Sequence, residues 1–208
     1  MPKKFAMIGS SATPIKKRYA MIGSSATPVK KEWAMIGSTP TLVFSAEEVL
    51  FPDQHSTWTS GTGGNDGGHT ATISTSSISL YSGWGYEYGD YANASKAYAY
   101  TPVIDFSQYK KMTVTYSTLK TGSQYGTHAT AKIGILNSTS VKVYNNNGCT
   151  EQGDNAWIWS QGYATSDSDI SETKEYDLTN VNSKGRLWLL VYSYLTYVYM
   201  TVTKIVLE

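Results

Sequence analysis

The sequence lacks several features that mark particular classes of protein. It has one cysteine in 208 residues, Cys149, which excludes a disulfide within the chain and a thiolate metal cluster. No apolar run is long enough to span a bilayer, so we expect no membrane insertion. "MPKKFAMIGSS" lacks the extended apolar core of a signal peptide. We therefore expect no signal-directed secretion, and a protein of this kind that acts outside a cell would be released by lysis.

Catalytic and metal-binding patterns are also missing. The three histidines stand apart from one another and show no ligand spacing. The chain contains no Gly-x-Ser-x-Gly elbow of the kind that positions a nucleophilic serine. We therefore expect a protein that is not an enzyme and that needs no cofactor and no metal.

Aromatic residues and glycine are abundant, with 17 Tyr, 6 Trp and 18 Gly. Aromatic and β-branched side chains fit the pleated surface of a sheet, whereas long runs of helix-forming residues do not occur in this chain. The composition predicts an all-β fold.

The net charge of +1 hides an uneven distribution. Residues 1–43 contain seven basic side chains and one acidic side chain, for a net charge of +6, and residues 44–208 carry a net charge of −5. A basic arm can bind nucleic acid. Here the basic residues recur as Lys-Lys pairs at a fixed period, which is typical of the solvent side of repeated strands, so we do not expect a nucleic-acid partner.

Residues 2–43 consist of three repeats of 14 residues: "PKKFAMIGSSATPI", "KKRYAMIGSSATPV" and "KKEWAMIGSTPTLV". Each repeat offers two short β segments around a Gly-Ser turn, which predicts a small meander of three β-hairpins as a first domain, 1–43. Fourteen is even, so equivalent residues lie on the same face of every strand. Three hairpins bury little surface alone, which indicates an assembly module that packs on another domain or chain. The expected assembly residues are Phe5, Ile8, Tyr19, Ile22, Trp33 and Ile36.

Residues 44–208 form the second predicted domain, an antiparallel β-sandwich or jelly roll, because short alternating segments are separated by turn residues. Residues 56–70 are expected to form a Gly-rich loop. Segment 186–194, "RLWLLVYSY", is apolar on both faces, which predicts a central strand with Leu187, Leu189 and Val191 towards the core. The other predicted strands span 70–81, 96–106, 110–119, 127–136, 141–144, 156–160, 174–178 and 196–208.

The repeat resembles one found in structural and tail proteins of phages and prophages of Firmicutes, and the sandwich resembles the jelly-roll domains of such proteins. The residues that carry the resemblance are Lys17, Tyr19, Ile22, Ala26 and Val29 in the repeat, "LVFSAEE" (42–48) after it, and 103–117 and 174–194 in the sandwich. "MIGSSATP" departs from the Gly-Val turn of the family. The resemblance implies a virion component, such as a tail fibre, tail-tip or decoration protein with a carbohydrate-binding-like sandwich. Its expected partners are other virion proteins and further copies of itself, with a trimer as the expected oligomer.

Aromatic and polar residues concentrate in two stretches of the second domain, 80–95 and 153–163. Sugars stack their C–H faces on aromatic rings, while their hydroxyls need fixed polar partners. If the two stretches lie together, they line one groove for a host cell-surface glycan. In the alternative interpretation, Trp157 and Trp159 share a strand face and pack, and the tyrosines cover a sheet or a subunit interface. The candidate glycan-binding residues are Trp84, Tyr86, Tyr88, Asp90, Tyr91, Trp157, Trp159 and Gln161.

Two other functions stay open at this point. One is a purely structural decoration or filament subunit without a ligand, whose tyrosines lie at subunit contacts. The other is a tail-associated polysaccharide hydrolase, which would need two carboxylates on opposite sides of the scissile bond. The pairs Glu87/Asp90 and Asp167/Asp169 lie in polar surroundings, and nothing in the sequence indicates the burial that would raise the pKa of one of them.

Overall fold

The computed structural model describes most of the chain from residue 47 onwards and the strands before it. The described residues are 5–8, 11–14, 18–22, 25–29, 31–36, 39–45, 47–64, 68–83, 95–122, 129–141, 143–145, 149–151, 157–163, 169–193 and 196–208; up to residue 45, and at 144–145 and 149–151, they are described by their backbone alone. The chain divides into two compact units, Met1–Glu48 with Glu208, and Val49–Leu207.

The first unit contains three antiparallel β-hairpins, one for each sequence repeat. The hairpins pair β1 (Phe5–Ile8) with β2 (Ser11–Pro14), β3 (Arg18–Ile22) with β4 (Ser25–Val29), and β5 (Lys31–Ile36) with β6 (Thr39–Ser45). Each hairpin is a separate two-stranded sheet. Equivalent residues pair in each repeat: Ile8 faces Ser11, and Ile22 faces Ser25. The period of 14 residues therefore corresponds to one hairpin, and β6 continues two residues past the repeat that ends at Val43.

The second unit contains two antiparallel sheets, which we call sheet I and sheet II. In spatial order, sheet I consists of β18 (Glu172–Asp177), β13 (Lys111–Thr121), β20 (Val198–Leu207), β10 (Ile78–Ser82) and β9 (His69–Ile73), and β7 (Glu48–Phe51) also pairs with β20. Sheet II consists of β17 (Trp157–Tyr163), β14 (Ala129–Leu136), β19 (Lys184–Ser193), β11 (Ser95–Tyr100) and β8 (Thr59–Gly63), and β12 (Ile104–Asp105) also pairs with β19. A small hairpin of β15 (Val143–Asn145) and β16 (Cys149–Glu151) forms a separate two-stranded sheet.

The main hydrophobic core contains residues from both sheets. Alternation along each strand sends every second side chain inward: Leu187, Leu189 and Val191 of β19 meet Met200 and Val202 of β20 in this core, and all five are fully buried. The connections after β7, β8, β10, β12, β13, β17, β18 and β19 change sheets, which is the connectivity of a jelly roll. The predicted all-β sandwich is therefore confirmed, and so is the central position of the strand at 186–194.

Two predictions about the start of the sandwich are wrong. The single strand expected at 70–81 is two strands, because Ser74 makes a turn in which its Oγ accepts hydrogen bonds from the backbone N–H groups of Ser76 and Ser77. The Gly-rich loop expected at 56–70 contains strand β8, whose five residues pair with β11. Tertiary pairing here overrides the low strand propensity of glycine.

Candidate functional site

The outer face of sheet II carries a second hydrophobic cluster. Its centre is Trp188 in β19, which is fully buried although it points away from the main core. Val141 and Val143 cover the cluster, and the Nε1–H of Trp188 donates a hydrogen bond of 3.2 Å to the carbonyl oxygen of Ser138. A segment that begins directly after β14 therefore packs over the middle of this face. The aromatic side chains on either side of it stay partly exposed.

Tyr98 and Tyr100 form an aromatic pair on this face, which we call the tyrosine platform. Their rings lie almost parallel, at 15° with centroids 6.2 Å apart, and Tyr100 stacks on Trp188 at 4.5 Å. Tyr98 lies across strand β8, because a Cβ at its cross-strand partner Gly61 would come within 2.5 Å of the Tyr98 Oη atom. The absence of a side chain at Gly61 lets this ring lie against the sheet. Both tyrosines are partly exposed, so the platform is open to a flat ligand.

Positive side chains accompany the aromatic rings. The guanidinium carbon of Arg186 lies 5.6 Å from the centre of the Tyr100 ring, and Lys132 Nζ lies 5.1 Å from the centre of a Trp157 ring. Lys96 lies across Gly63 as Tyr98 lies across Gly61, and its Nζ donates a 2.7 Å hydrogen bond to the Val141 carbonyl oxygen. Burial lowers the pKa of Lys96, because its ammonium group loses part of its hydration.

The methyl group added by Gly61→Ala displaces the Tyr98 ring, so a ligand held on this ring would bind to the variant at least about tenfold more weakly. The matched control is Gly162→Ala in β17, where a Cβ would meet nothing within 4 Å. Tyrosine fluorescence and thermal unfolding would show that both variants are folded. Equal binding by the two variants would contradict a role for the orientation of Tyr98.

Trp157 and Trp159 lie on opposite faces of sheet II, so the interpretation that they share a strand face is wrong. The pairing of β14 with β17 shifts between Ile135 and Leu136, and this β-bulge places one extra residue, Ile158, between the two tryptophans. Trp157 packs on the outer cluster, whereas Trp159 packs against the main core. The single groove that the sequence predicts from these residues is therefore not formed by the two tryptophans together.

The face of β17 that carries Trp159 closes the side of the sandwich with a cluster of tyrosines. The Oη of Tyr163 donates a hydrogen bond of 2.5 Å to the Oη of Tyr116, which lies 2.9 Å from the Oη of Tyr176. The Trp159 ring meets the Tyr176 ring edge-on at 5.4 Å. Gln161 is exposed on the same strand, and its Nε2 donates to the Gly162 carbonyl oxygen at 3.0 Å. Burial raises the pKa of Tyr116 and raises the pKa of Tyr176 to about 12, so these hydroxyls stay neutral and the cluster is structural.

We expect the free energy of unfolding to fall as the pH rises above about 10. The unfolded chain releases the Tyr176 proton near the ordinary tyrosine pKa of 10, whereas the folded chain holds it up to about pH 12. The stabilisation is therefore complete below about pH 10 and is lost as the pH rises towards 12. Urea unfolding followed at about pH 8 and about pH 11 measures this loss. The loss of unfolding free energy should be smaller in the double variant Tyr116→Phe/Tyr176→Phe. An unchanged pH dependence in that variant would show that these two tyrosines do not cause the loss.

All five candidate glycan-binding residues of stretch 80–95 lie outside the described residues. These are Trp84, Tyr86, Tyr88, Asp90 and Tyr91. The described residues on either side of that stretch are Gly83 and Ser95, at the ends of β10 and β11. Of the assembly residues, Phe5, Ile8, Tyr19, Ile22, Trp33 and Ile36 all lie in described strands, but their side chains are outside the described part. For these residues the sequence-based predictions stay predictions.

The tyrosine platform can be predicted from the sequence pattern of one strand, whereas the candidate residues above were predicted mainly from loops. In "SKAYAY" (95–100), alanine alternates with lysine and tyrosine. Ala97 and Ala99 are fully buried in the main core, so Lys96, Tyr98 and Tyr100 must share the opposite face. An aromatic residue at every second position of a strand whose other face is buried is itself a candidate binding surface.

The described part of the chain contains neither a metal-binding cluster nor a helix that could span a membrane. No group of three or more His, Cys, Asp or Glu side chains that could hold a metal ion occurs among those residues. They also contain no helix with the length and hydropathy needed to cross a membrane.

No protein-family model and no curated protein matches the chain. Similar solved structures include the glycoside hydrolase domain of Endo-D from Streptococcus pneumoniae R6, at 12% identity and a TM-score of 0.37 over 73% of this chain and 21% of that one. The enzymatically active domain of tailspike protein 4 of bacteriophage CBA120 is similar at 14% identity and a TM-score of 0.38, over 74% of this chain and 20% of that one. The carbohydrate-binding module TmCBM27, described for specific mannan recognition, is similar at 9% identity and a TM-score of 0.34, over 85% of this chain and 98% of that one. The chain spans about a fifth of the length of the first two, and its function has to be inferred from its own residues.

Proposed function

We propose that this chain is a non-enzymatic structural and adhesion protein of a phage virion, in which the sandwich binds a surface glycan and the hairpin repeats serve assembly. The observation that carries the glycan-binding part is the tyrosine platform. Two partly exposed rings lie nearly parallel, one of them supported by the buried Trp188 and the other lying across Gly61. A rigid flat aromatic surface matches the C–H faces of sugar rings and loses little side-chain entropy on binding.

Polar groups beside the platform supply the second requirement of a sugar site. The Arg186 guanidinium lies over the edge of the platform at Tyr100, and Thr59 is exposed directly opposite Tyr100 on β8. Both can hydrogen-bond to sugar hydroxyls. The aromatic surface and the polar groups therefore lie on one face of one sheet, as a glycan-binding site needs.

A polysaccharide screen tests this part of the proposal. The full chain is run by affinity electrophoresis through gels that contain neutral or acidic polysaccharides, and is also incubated with intact bacterial cells. We expect retardation by at least one polysaccharide, with no change in its chain length after incubation. Shortened chains would favour the hydrolase alternative. Unretarded migration through every gel, together with no binding to cells, would contradict glycan binding.

The assembly role is assigned to the hairpins because six short strands in two-stranded sheets leave many edge N–H and C=O groups for pairing with another chain. We expect deletion of residues 2–43 to convert an oligomer, a trimer in this account, into a folded monomer. Multi-angle light scattering of the full chain and of the shortened chain measures both masses, and circular dichroism checks that the sandwich is folded. An unchanged number of subunits after the deletion would contradict the assembly role.

One observation favours the purely structural alternative. On the outer face of sheet I, Tyr199 is 40% exposed and stacks on Tyr81 at 4.5 Å, and the Tyr197 ring meets Tyr199 edge-on. Exposed aromatic residues of this kind are common at subunit contacts. In that case Tyr199→Ala would reduce the mass in light scattering while glycan binding stays unchanged or absent.

A further inference from the structure

We propose that the glycan bound by the outer face of sheet II is an acidic polysaccharide, held by Lys96 and Arg186 at the two ends of the tyrosine platform. This inference rests on the proposed glycan-binding function and names the chemistry of its ligand. The ligand class is a chain of sugars that carries carboxylate or phosphate groups.

Charge is segregated between the two sheets. None of the five strands β17, β14, β19, β11 and β8 contains Asp or Glu, although residues 44–208 carry a net charge of −5. In sheet I, by contrast, a single strand, β18, contains three acidic residues, Glu172, Glu175 and Asp177. A positive face on a unit that is acidic as a whole is the electrostatic complement of an anionic ligand.

The cations of this face keep donors available. Among the described residues, Arg186 donates one hydrogen bond, from Nη1 to the Thr101 carbonyl oxygen at 3.1 Å, and neither Arg186 nor Lys96 has a carboxylate within 4.0 Å. On β12, which also pairs with β19, the Oδ1 of Asp105 accepts hydrogen bonds from the N–H and the Oγ of Ser107. A guanidinium without a protein carboxylate can bind a ligand carboxylate or phosphate with two parallel hydrogen bonds.

The order of residues along the sheet indicates a polymer instead of a single acidic sugar. Tyr100 pairs with Trp188 and Lys96 pairs with Tyr192, so Arg186 lies beyond Tyr100 at one end of the platform and Lys96 lies beyond Tyr98 at the other. Arg186 and Tyr192, the β19 residues that mark these two ends, are six positions apart, which corresponds to about 20 Å along the strand. One ligand that reaches both cations and crosses both rings must therefore be an extended chain.

The test compares acidic polysaccharides with neutral counterparts of the same backbone, using the full-length protein in calorimetric titrations. Polygalacturonate is paired with its methyl ester, which removes the carboxylate charge, and phosphomannan is paired with mannan. We expect at least one acidic polymer to bind at least about tenfold more tightly than its neutral counterpart, with an affinity that falls as salt is added. If the difference occurs with polygalacturonate, the acid group that the protein recognises is a carboxylate; if it occurs with phosphomannan, the group is a phosphate.

The variants Lys96→Gln and Arg186→Gln should each weaken binding of the acidic polymer about fivefold or more, and each should weaken binding of the acidic polymer by a larger factor than binding of the neutral polymer. The matched control is Lys204→Gln, which removes the same charge from an exposed position on sheet I. Equal affinity for the acidic and the neutral polymer of each pair would overturn the inference. The proposed glycan binding would still hold in that case if Tyr98→Ala abolished binding of both polymers. Binding of no polysaccharide would overturn both. Tighter binding of oligothymidylate than of either acidic polymer would overturn the inference in favour of nucleic acid.

Discussion

Replacement of Tyr98 and Tyr100 together by alanine is expected to abolish measurable glycan binding. On the described part of the outer face of sheet II, these two rings are the only partly exposed aromatic pair that lies parallel within 15°. Loss of a central aromatic pair typically costs about 2 to 4 kcal/mol of binding free energy, which is a roughly 30- to 700-fold weaker affinity. Calorimetric titration with the polysaccharide that retards the wild type most strongly measures the change.

The control for this prediction is Tyr199→Ala, which removes a tyrosine that is 40% exposed on the outer face of sheet I. That variant should bind as the wild type does. Glycan binding by the tyrosine platform would be wrong as a proposal if the Tyr98→Ala/Tyr100→Ala variant kept its affinity while its melting temperature was unchanged. It would also be wrong if Tyr199→Ala lost as much affinity as the double variant.

Trp188→Ala is expected to cause the largest loss of stability of any single substitution on this face, about 3 to 5 kcal/mol of unfolding free energy. Trp188 is fully buried, Tyr98 and Tyr100 contact its ring, and its Nε1–H holds the Ser138 carbonyl. The substitution leaves a cavity and releases the covering segment at the same time. Urea unfolding of the variant measures the change in free energy.

Trp188→Phe separates the two contributions, because it keeps most of the ring volume but removes the hydrogen bond to Ser138. We expect a loss of about 1 to 2 kcal/mol for this variant. A change of less than about 1 kcal/mol in Trp188→Ala would mean that the outer cluster contributes little to stability. The covering segment would then not be held by this tryptophan.

Strand alternation was enough to predict the core of the sandwich. In β13, Met112, Val114 and Tyr116 alternate with threonines and are fully buried, and the apolar run of β19 is central. The pattern failed where a local irregularity changes the face of a strand. At the end of β20 the pairing shifts between Thr115 and Tyr116, so Lys204, which alternation places with Val202, is exposed and Ile205 is buried instead. Bulges of this kind depend on the partner strand and cannot be read from one segment alone.

The candidate site was predicted less well, for two physical reasons. Glycines in 56–70 predict a loop when they are considered alone, but two of them are required in β8 so that Tyr98 and Lys96 can lie across the strand. Only the pairing of β8 with β11 shows this need. Trp157 lies on the candidate face, as the sequence suggests. Trp159 lies on the opposite face, because the bulge at Ile158 changes the alternation of β17.

Hydroxyl-radical footprinting of tyrosine side chains tests the central claim most directly, because the reaction rate of each ring reports its exposure to solvent. The full-length protein is oxidised with and without a saturating amount of the acidic polysaccharide that binds it best. If the glycan lies on the tyrosine platform, Tyr98 and Tyr100 become protected while Tyr199 stays as reactive as in the free protein. Protection of Tyr199 with no change at Tyr98 and Tyr100 would place the glycan on the other sheet and contradict the account.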